Sequence, residues 1–149
     1  MSSKVSNEGV YDFLRTELAV KQWIETSLDI ALKDDLMESL QNGVVLCYLC
    51  QAIEERSIPR IQEQTQAAFK LKENVQFVVA ALEDMGVPPW RTFLVSDLFE
   101  KRNKVAVVLA LCELAKVAEK KGFDTSLPDT SDVKDSDLPK PSGSLALSA

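Results

Sequence analysis

The amino-acid sequence predicts an all-α domain, a compact arrangement of about four main helices with short helical turns and long loops. Three observations support this fold class. Apolar residues recur at intervals of three and four positions in several segments, which is the spacing of one helical face. Glycine and proline stand where these segments end. The chain also offers no pair of strand-like runs with a turn between them.

The first helix is predicted from Tyr11 onward. The residues that form its apolar face are Val20, Trp23, Ile24 and Leu28. A large ring in the middle of such a face is typical of a core residue. We therefore expect Trp23 to stabilise the fold and not to belong to a functional site.

The next two helical segments are joined by the dipeptide Asn42-Gly43. Before it, the apolar residues of Leu36–Leu40 lie among acidic neighbours and predict a short turn or helix. After it, the run Val44–Ile53 is apolar on nearly every side, which is typical of a helix in the centre of a domain. Asn-Gly also favours hairpins, but the helical spacing on both sides indicates a helix-to-helix turn. Residues 57–68 are polar and predict a long connection.

A longer helix is predicted between Glu73 and Met85. Its apolar face consists of Val75, Val78, Val79 and Leu82. Gly86 and the two prolines that follow shortly after it are a strong signal for the end of a helix.

The last predicted elements are a short helical turn and a long helix. Asp97 and Glu100 have the spacing of an N-cap residue and its partner three positions later, which predicts a helical turn at Leu98-Phe99. The apolar face of the long helix consists of Val105, Val108, Leu109 and Cys112. Gly122 follows this helix and is expected to end it.

The composition of the chain changes sharply after Phe123. Residues 124–149 are rich in serine, aspartate and proline and predict a disordered acidic tail or linker. The first residues contain no apolar run of the kind that a secretion signal needs, and no later apolar run reaches about 18 residues. We therefore expect neither a secretion signal nor a membrane span, and a cytoplasmic protein.

The composition argues against catalysis. The 149 residues include no histidine, which excludes Ser-His-Asp and Cys-His chemistry and imidazole zinc ligands. Carboxylate pairs such as Asp34-Asp35 and Glu54-Glu55 stand among polar residues at helix edges, where a solvated face is the simpler interpretation. We therefore expect no enzyme, no catalytic residue, no cofactor and no metal site.

Cys47 and Cys50 have the spacing of a redox or zinc motif. Thioredoxin-type chemistry needs a βαβ context, and structural zinc needs about four converging ligands. Within an apolar helix, both cysteines are expected to be small buried hydrophobes. The odd number of three cysteines also favours reduced intracellular thiols over disulfides.

The helical segments together predict the core of the domain. The predicted core residues are Trp23, Gly43, Leu46, Leu49, Val78, Leu82, Val108, Leu109 and Cys112.

Four features in a fixed order carry a resemblance to a known family. They are Trp23 in the opening helix, the run Leu40–Leu49 around Asn-Gly, the run Glu73–Val87, and Asp97–Glu100 before the last long helix. Together they resemble a calponin homology domain over roughly residues 18–123. The resemblance implies that residues 18–123 form the folded domain and that residues 1–17 are an N-terminal extension with the start of the first helix. The pattern looks most like the single-domain type, and the run that ends at Phe123 is similar to the growth-arrest-specific 2 group.

This resemblance implies a cytoskeletal protein without catalytic activity. Its expected partner is the actin filament, bound weakly because only one domain fits the sequence. Two alternatives remain open: a docking or scaffold domain for another cytoskeletal or signalling protein without affinity for actin, and a domain that binds microtubules.

Positive charge is concentrated near the last helix, although the formal net charge of the chain is -6. The acidic total argues against nucleic-acid binding. Actin and tubulin surfaces are acidic, so a local basic patch is required to approach them. The candidate partner-binding residues form two groups, Lys101, Arg102 and Lys104 before the helix and Lys116, Lys120 and Lys121 at its end. Complementation of the helix dipole is an alternative reason for the second group.

Overall fold

The computed structural model describes the backbone of residues 2–125 and 127, and the side chains of residues 13–125 and 127. These residues form helices and loops without any strand, so the prediction of an all-α fold is confirmed. The elements are α1 (Ser2–Leu28), α2 (Leu36–Leu40), α3 (Val44–Ile53), α4 (Ala68–Asp84), a 3-10 turn (Pro89–Arg91), α5 (Val95–Phe99) and α6 (Lys104–Lys120). Most of the tail predicted over residues 124–149 lies outside the described residues.

The core of the domain is built around α3 and α6. Helix α3 packs against α1, α2 and α4, while α6 packs against α1, α5 and the 3-10 turn. The sequence predicted one apolar face for α6, but every residue from Val107 to Cys112 is buried. Three neighbouring elements cover the helix, and this is why it is apolar on nearly every side.

The nine residues predicted for the core are all buried in the structure. Trp23 retains 3% of its exposed surface, and Leu46, Leu49, Val78, Leu82 and Val108 retain none. Gly43 is buried at the junction between α2 and α3. Removing such apolar surface from water is the main favourable contribution to folding.

The turn between α2 and α3 is held by Asn74 of α4. The Asn74 side chain is fully buried, and its Oδ1 accepts a hydrogen bond of 2.8 Å from the backbone N–H of Gln62. Its Nδ2 donates to the carbonyl oxygens of Asn42, at 2.9 Å, and Gln62, at 3.0 Å. Asn74 therefore ties together the turn, the long connection and α4.

Two helices begin earlier than the sequence patterns predicted. Helix α1 begins at Ser2 and not near Tyr11, because no proline interrupts the preceding residues and an existing helix extends at low cost. Helix α4 begins at Ala68 and not near Glu73. The first turn of α4 was not predicted because it does not continue the apolar face: its large apolar residue, Phe69, points to solvent and is 72% exposed.

The capping pattern predicted for the short helix α5 is wrong in register. Asp97 occupies the third helical position and is not the N-cap residue. Its Oδ2 accepts a hydrogen bond of 2.9 Å from the backbone N–H of Leu94, which precedes the helix. The carboxylate thus reaches back to the start of α5, and Glu100 follows the last helical residue.

Within the described part of the chain, no helix has the length and apolar character needed to cross a membrane.

Candidate partner-binding surface

The six predicted binding cations do not form one patch. Lys101, Arg102 and Lys104 lie at the start of α6, whereas Lys116, Lys120 and Lys121 lie at its end. Helix α6 has 17 residues. At a rise of about 1.5 Å per residue it is about 25 Å long, so the structure keeps the two groups at opposite ends of the domain.

The group at the end of α6 is largely neutralised by nearby carboxylates. Lys116 Nζ lies 3.0 Å from Glu113 Oε2 within the same helix. Lys121 Nζ donates to Glu54 Oε2 at 2.7 Å, and this hydrogen bond lowers the pKa of the Glu54 carboxyl. Lys120 is exposed. These contacts favour a structural role for this end of the helix.

The group before α6 also contains two paired cations, but their side chains are more exposed, 56% for Arg102 and 43% for Lys104, against 35% for Lys116 and 40% for Lys121. Arg102 pairs with Glu100 at 2.8 Å, and Lys104 pairs with Glu17 of α1 at 3.2 Å. Lys101 is exposed and forms no ion pair with any described residue. Its φ of 54° places it in the left-handed region, where the chain turns at the end of α5.

A further lysine joins this group from another helix. Lys72 of α4 places its Nζ 5.4 Å from the centre of the Phe99 ring, a cation–π contact. The carbonyl oxygen of Phe99 accepts a hydrogen bond of 2.7 Å from Gln41 Nε2, which fixes the end of α5. We call Lys72, Phe99, Lys101 and Arg102 the basic surface.

Sequence reasoning predicted two members of the basic surface and missed two. Lys101 and Arg102 stand in a visible cluster of charge, but Lys72 is separated from Phe99 by 26 residues of sequence. The packing of α4 against α5 brings them together. The alternation Lys70-Leu71-Lys72 in the sequence was the one local signal that pointed to Lys72.

The domain also carries an open apolar groove between α1 and α3, with a volume of about 610 Å³. Its lining includes Leu28, Ile30, Val45 and Tyr48. The Tyr48 hydroxyl donates to Glu63 Oε2 at 2.5 Å, and this bond raises the pKa of Tyr48. The groove therefore offers apolar contact and one tyrosine hydroxyl that is already satisfied.

The cysteines offer no reactive thiolate. Burial raises the pKa of Cys47 and of Cys50 from 9.0 to about 12. Cys112 is also buried, and none of the three cysteines takes part in a disulfide bond among the described residues. Among the described residues, no group of three or more histidine, cysteine, aspartate or glutamate side chains is arranged to hold a metal ion.

We expect Cys47 and Cys50 to resist alkylation by iodoacetamide in the folded protein at pH 8, because thiolate is the reacting species and both thiols are shielded from solvent. Mass spectrometry after labelling measures this, with the protein in urea as the control that labels fully. The folded-state pKa is the higher one, so the stabilisation from the neutral thiols is complete below pH 9.0 and lost as the pH rises toward about 12. Native labelling as fast as that in urea would contradict this assignment.

An all-helical domain with this order of elements is a known class. Residues 14–120 match the model of the calponin homology (CH) domain. Because this match covers most of the chain, the chain belongs to the calponin homology domain family. The prediction of a calponin homology domain is thereby confirmed.

Among relatives with similar sequences are calponin-2 from Mus musculus and calponin-2 from Sus scrofa, each 30% identical to this chain over 129 residues. The match covers 85% of this chain, 42% of the mouse protein and 43% of the pig protein. The chain therefore spans less than half the length of these curated relatives.

Two solved structures from Schizosaccharomyces pombe have a similar fold. The calponin-homology domain of an IQGAP protein matches with a TM-score of 0.68 and 22% identity, over 89% of this chain and 86% of that chain. The calponin-homology domain of Rng2 matches with a TM-score of 0.69 at the same identity and coverage. At this level of identity the two structures show the fold.

Proposed function

We propose that this chain is a cytoplasmic, non-enzymatic interaction module of the cytoskeleton that binds actin filaments directly and weakly. Actin is the partner that the family resemblance implies. The observation that carries the proposal is the basic surface, where the three cations Lys72, Lys101 and Arg102 stand against one paired carboxylate, Glu100, on a chain of net charge -6. Within the family, we propose that the chain is nearest to the growth-arrest-specific 2 group, on the pattern of residues 115–123.

The physical basis of this binding is local complementarity of charge. An acidic filament repels the chain as a whole, so productive encounters require the basic surface to face the filament. Such steering acts mainly on the association rate and is screened by salt. A single domain with few contacts binds weakly, and linkage to further domains would raise the effective affinity.

Co-sedimentation with actin filaments and, in parallel, with microtubules at low and moderate salt tests the proposal. We expect saturable pelleting with actin that weakens as salt increases. If the chain pellets only with microtubules, its partner is the microtubule lattice and not actin. Absence of pelleting with either polymer would leave a docking module for another protein.

We expect the double variant Lys101→Glu with Arg102→Glu to weaken actin binding by about tenfold, because two attractive contacts become repulsive. The matched control is Lys33→Glu with Arg56→Glu, which reverses two exposed cations elsewhere and changes the net charge from -6 to -10 in the same way. Pelleting curves at low salt measure the difference. Equal losses in both variants would show that overall charge, and not the basic surface, governs binding.

The docking alternative is favoured by exposed apolar side chains in the segment that precedes α5. Trp90 in the 3-10 turn is 79% exposed, and Leu94 before α5 is 70% exposed. Neighbouring large apolar residues at a surface often mark protein contacts. If the chain co-sediments with neither polymer, Trp90→Ala is the first variant to test for binding to candidate protein partners.

A further inference from the structure

The first turn of α4 presents an aromatic ring to solvent beside the basic surface. Phe69 is 72% exposed, the second highest exposure among the described large apolar residues. Lys72 follows three positions later, so the two side chains are neighbours on one face of α4. Lys70 Nζ also lies 6.0 Å from the centre of the Phe69 ring. The turn thus combines one exposed ring with two lysines.

The carboxylates of this region are already engaged. Glu73 of α4 accepts hydrogen bonds of 3.0 Å from Gln62 and from Arg60, and these bonds lower its pKa. Glu100 pairs with Arg102. Within the described part of the chain, Lys72 and Lys101 have no carboxylate at ion-pair distance. Positive charge is therefore in excess where Phe69 is exposed.

We propose that Phe69 and Lys72 extend the basic surface into one site for a short acidic segment of a partner protein that carries an apolar side chain. The apolar side chain packs on the Phe69 ring, and the carboxylates of the segment meet Lys72, Lys101 and Arg102. This inference rests on the proposed function, because it names the contact by which an acidic partner is held.

A protein segment fits this site better than an anionic membrane. A membrane presents a continuous negative plane, which opposes a chain of net charge -6 over its whole approaching face. A short segment meets the local excess of positive charge and leaves the rest of the chain in solvent. A single exposed ring also matches one apolar side chain.

The decisive experiment titrates the full chain, labelled with ¹⁵N, with a synthetic peptide of alternating glutamate and aspartate that contains one central leucine. We expect amide shifts concentrated at residues 68–72 and 99–102. Phe69→Ala and Lys72→Glu should each lower the affinity for the peptide by about fivefold. The loss of affinity in Lys72→Glu should become smaller as the salt concentration increases, whereas the loss in Phe69→Ala should persist. Two matched controls are expected to bind the peptide with the wild-type affinity. They are Leu18→Ala, at another exposed apolar side chain, and Lys33→Glu, at another exposed lysine.

The outcomes separate this inference from the proposed function. Shifts elsewhere, or unchanged binding by both Phe69→Ala and Lys72→Glu, would overturn the inference even if the wild-type chain pellets with actin. Peptide binding at this site by a chain that fails to pellet with actin would support the inference and remove the actin proposal. If the chain binds phosphatidylserine vesicles through Lys72 and does not bind the peptide, the ligand of this site is an anionic membrane, and the inference of a protein segment is wrong.

Discussion

Replacing Trp23 with alanine is expected to lower the free energy of unfolding by about 3 to 5 kcal/mol, because it leaves a large cavity in a closely packed core. Trp23 retains 3% exposure and packs in the main cluster of buried residues with Val20 and Ile24 of the same helix. For a folded domain of roughly 100 residues, each kcal/mol corresponds to about 4 °C in the midpoint of thermal unfolding. Chemical denaturation of the full chain measures the change.

The same substitution at the other tryptophan is the matched control. Trp90 is 79% exposed, so Trp90→Ala is expected to change stability by less than about 0.5 kcal/mol. Trp23→Phe should lower the free energy of unfolding much less than Trp23→Ala does, because phenylalanine keeps most of the ring volume. It also removes an Nε1–H that has no hydrogen-bond partner among the described residues. A loss below about 1 kcal/mol for Trp23→Ala would contradict the core placement.

Replacing Gly43 with alanine is expected to cost about 3 to 5 kcal/mol, as left-handed strain and overpacking act together. The φ of Gly43 is 78°, a conformation that favours glycine. A Cβ there would lie 2.6 Å from Asn74 Cβ and 2.9 Å from the backbone nitrogen of Val75. The buried hydrogen bonds of Asn74 leave α4 little freedom to move away.

Gly86→Ala separates the two causes. Gly86 also has a positive φ, of 106°, but a Cβ there would meet no atom within 4 Å. Its alanine variant is therefore expected to cost about 1 to 2 kcal/mol from backbone strain alone. Urea unfolding of both variants compares them directly. If both variants lost the same stability, the close contact between Gly43 and Asn74 would not contribute.

Several features of the fold were predictable because their signals are local. The apolar run after Asn42-Gly43 predicted the central helix α3, and Gly86 with its prolines predicted the end of α4. The turn at Gly43 followed from helical spacing on both sides. The register of α5 was not predictable in the same way, since Asp97 had two chemically reasonable capping positions and its bond to Leu94 decided between them.

The candidate site was predictable only in part. Lys101 and Arg102 stood out as a cluster of charge, and the structure keeps both at the surface. Lys104 was predicted with them, yet its ammonium is paired with Glu17 of α1, and Lys121 is paired with Glu54. Those carboxylates lie far away in the sequence, so no pattern of neighbouring residues indicated that they would reduce the charge available to a partner.

The sequence by itself determined the helical class, the positions of the main apolar faces and the family, since periodicity, helix ends and ordered motifs are properties of neighbouring residues. Only the tertiary structure decided which distant side chains come together. It brought Lys72 to Phe99 through the packing of α4 on α5, and it separated the two lysine groups by the length of α6. Such contacts depend on how whole helices pack, because they join residues that are distant along the chain.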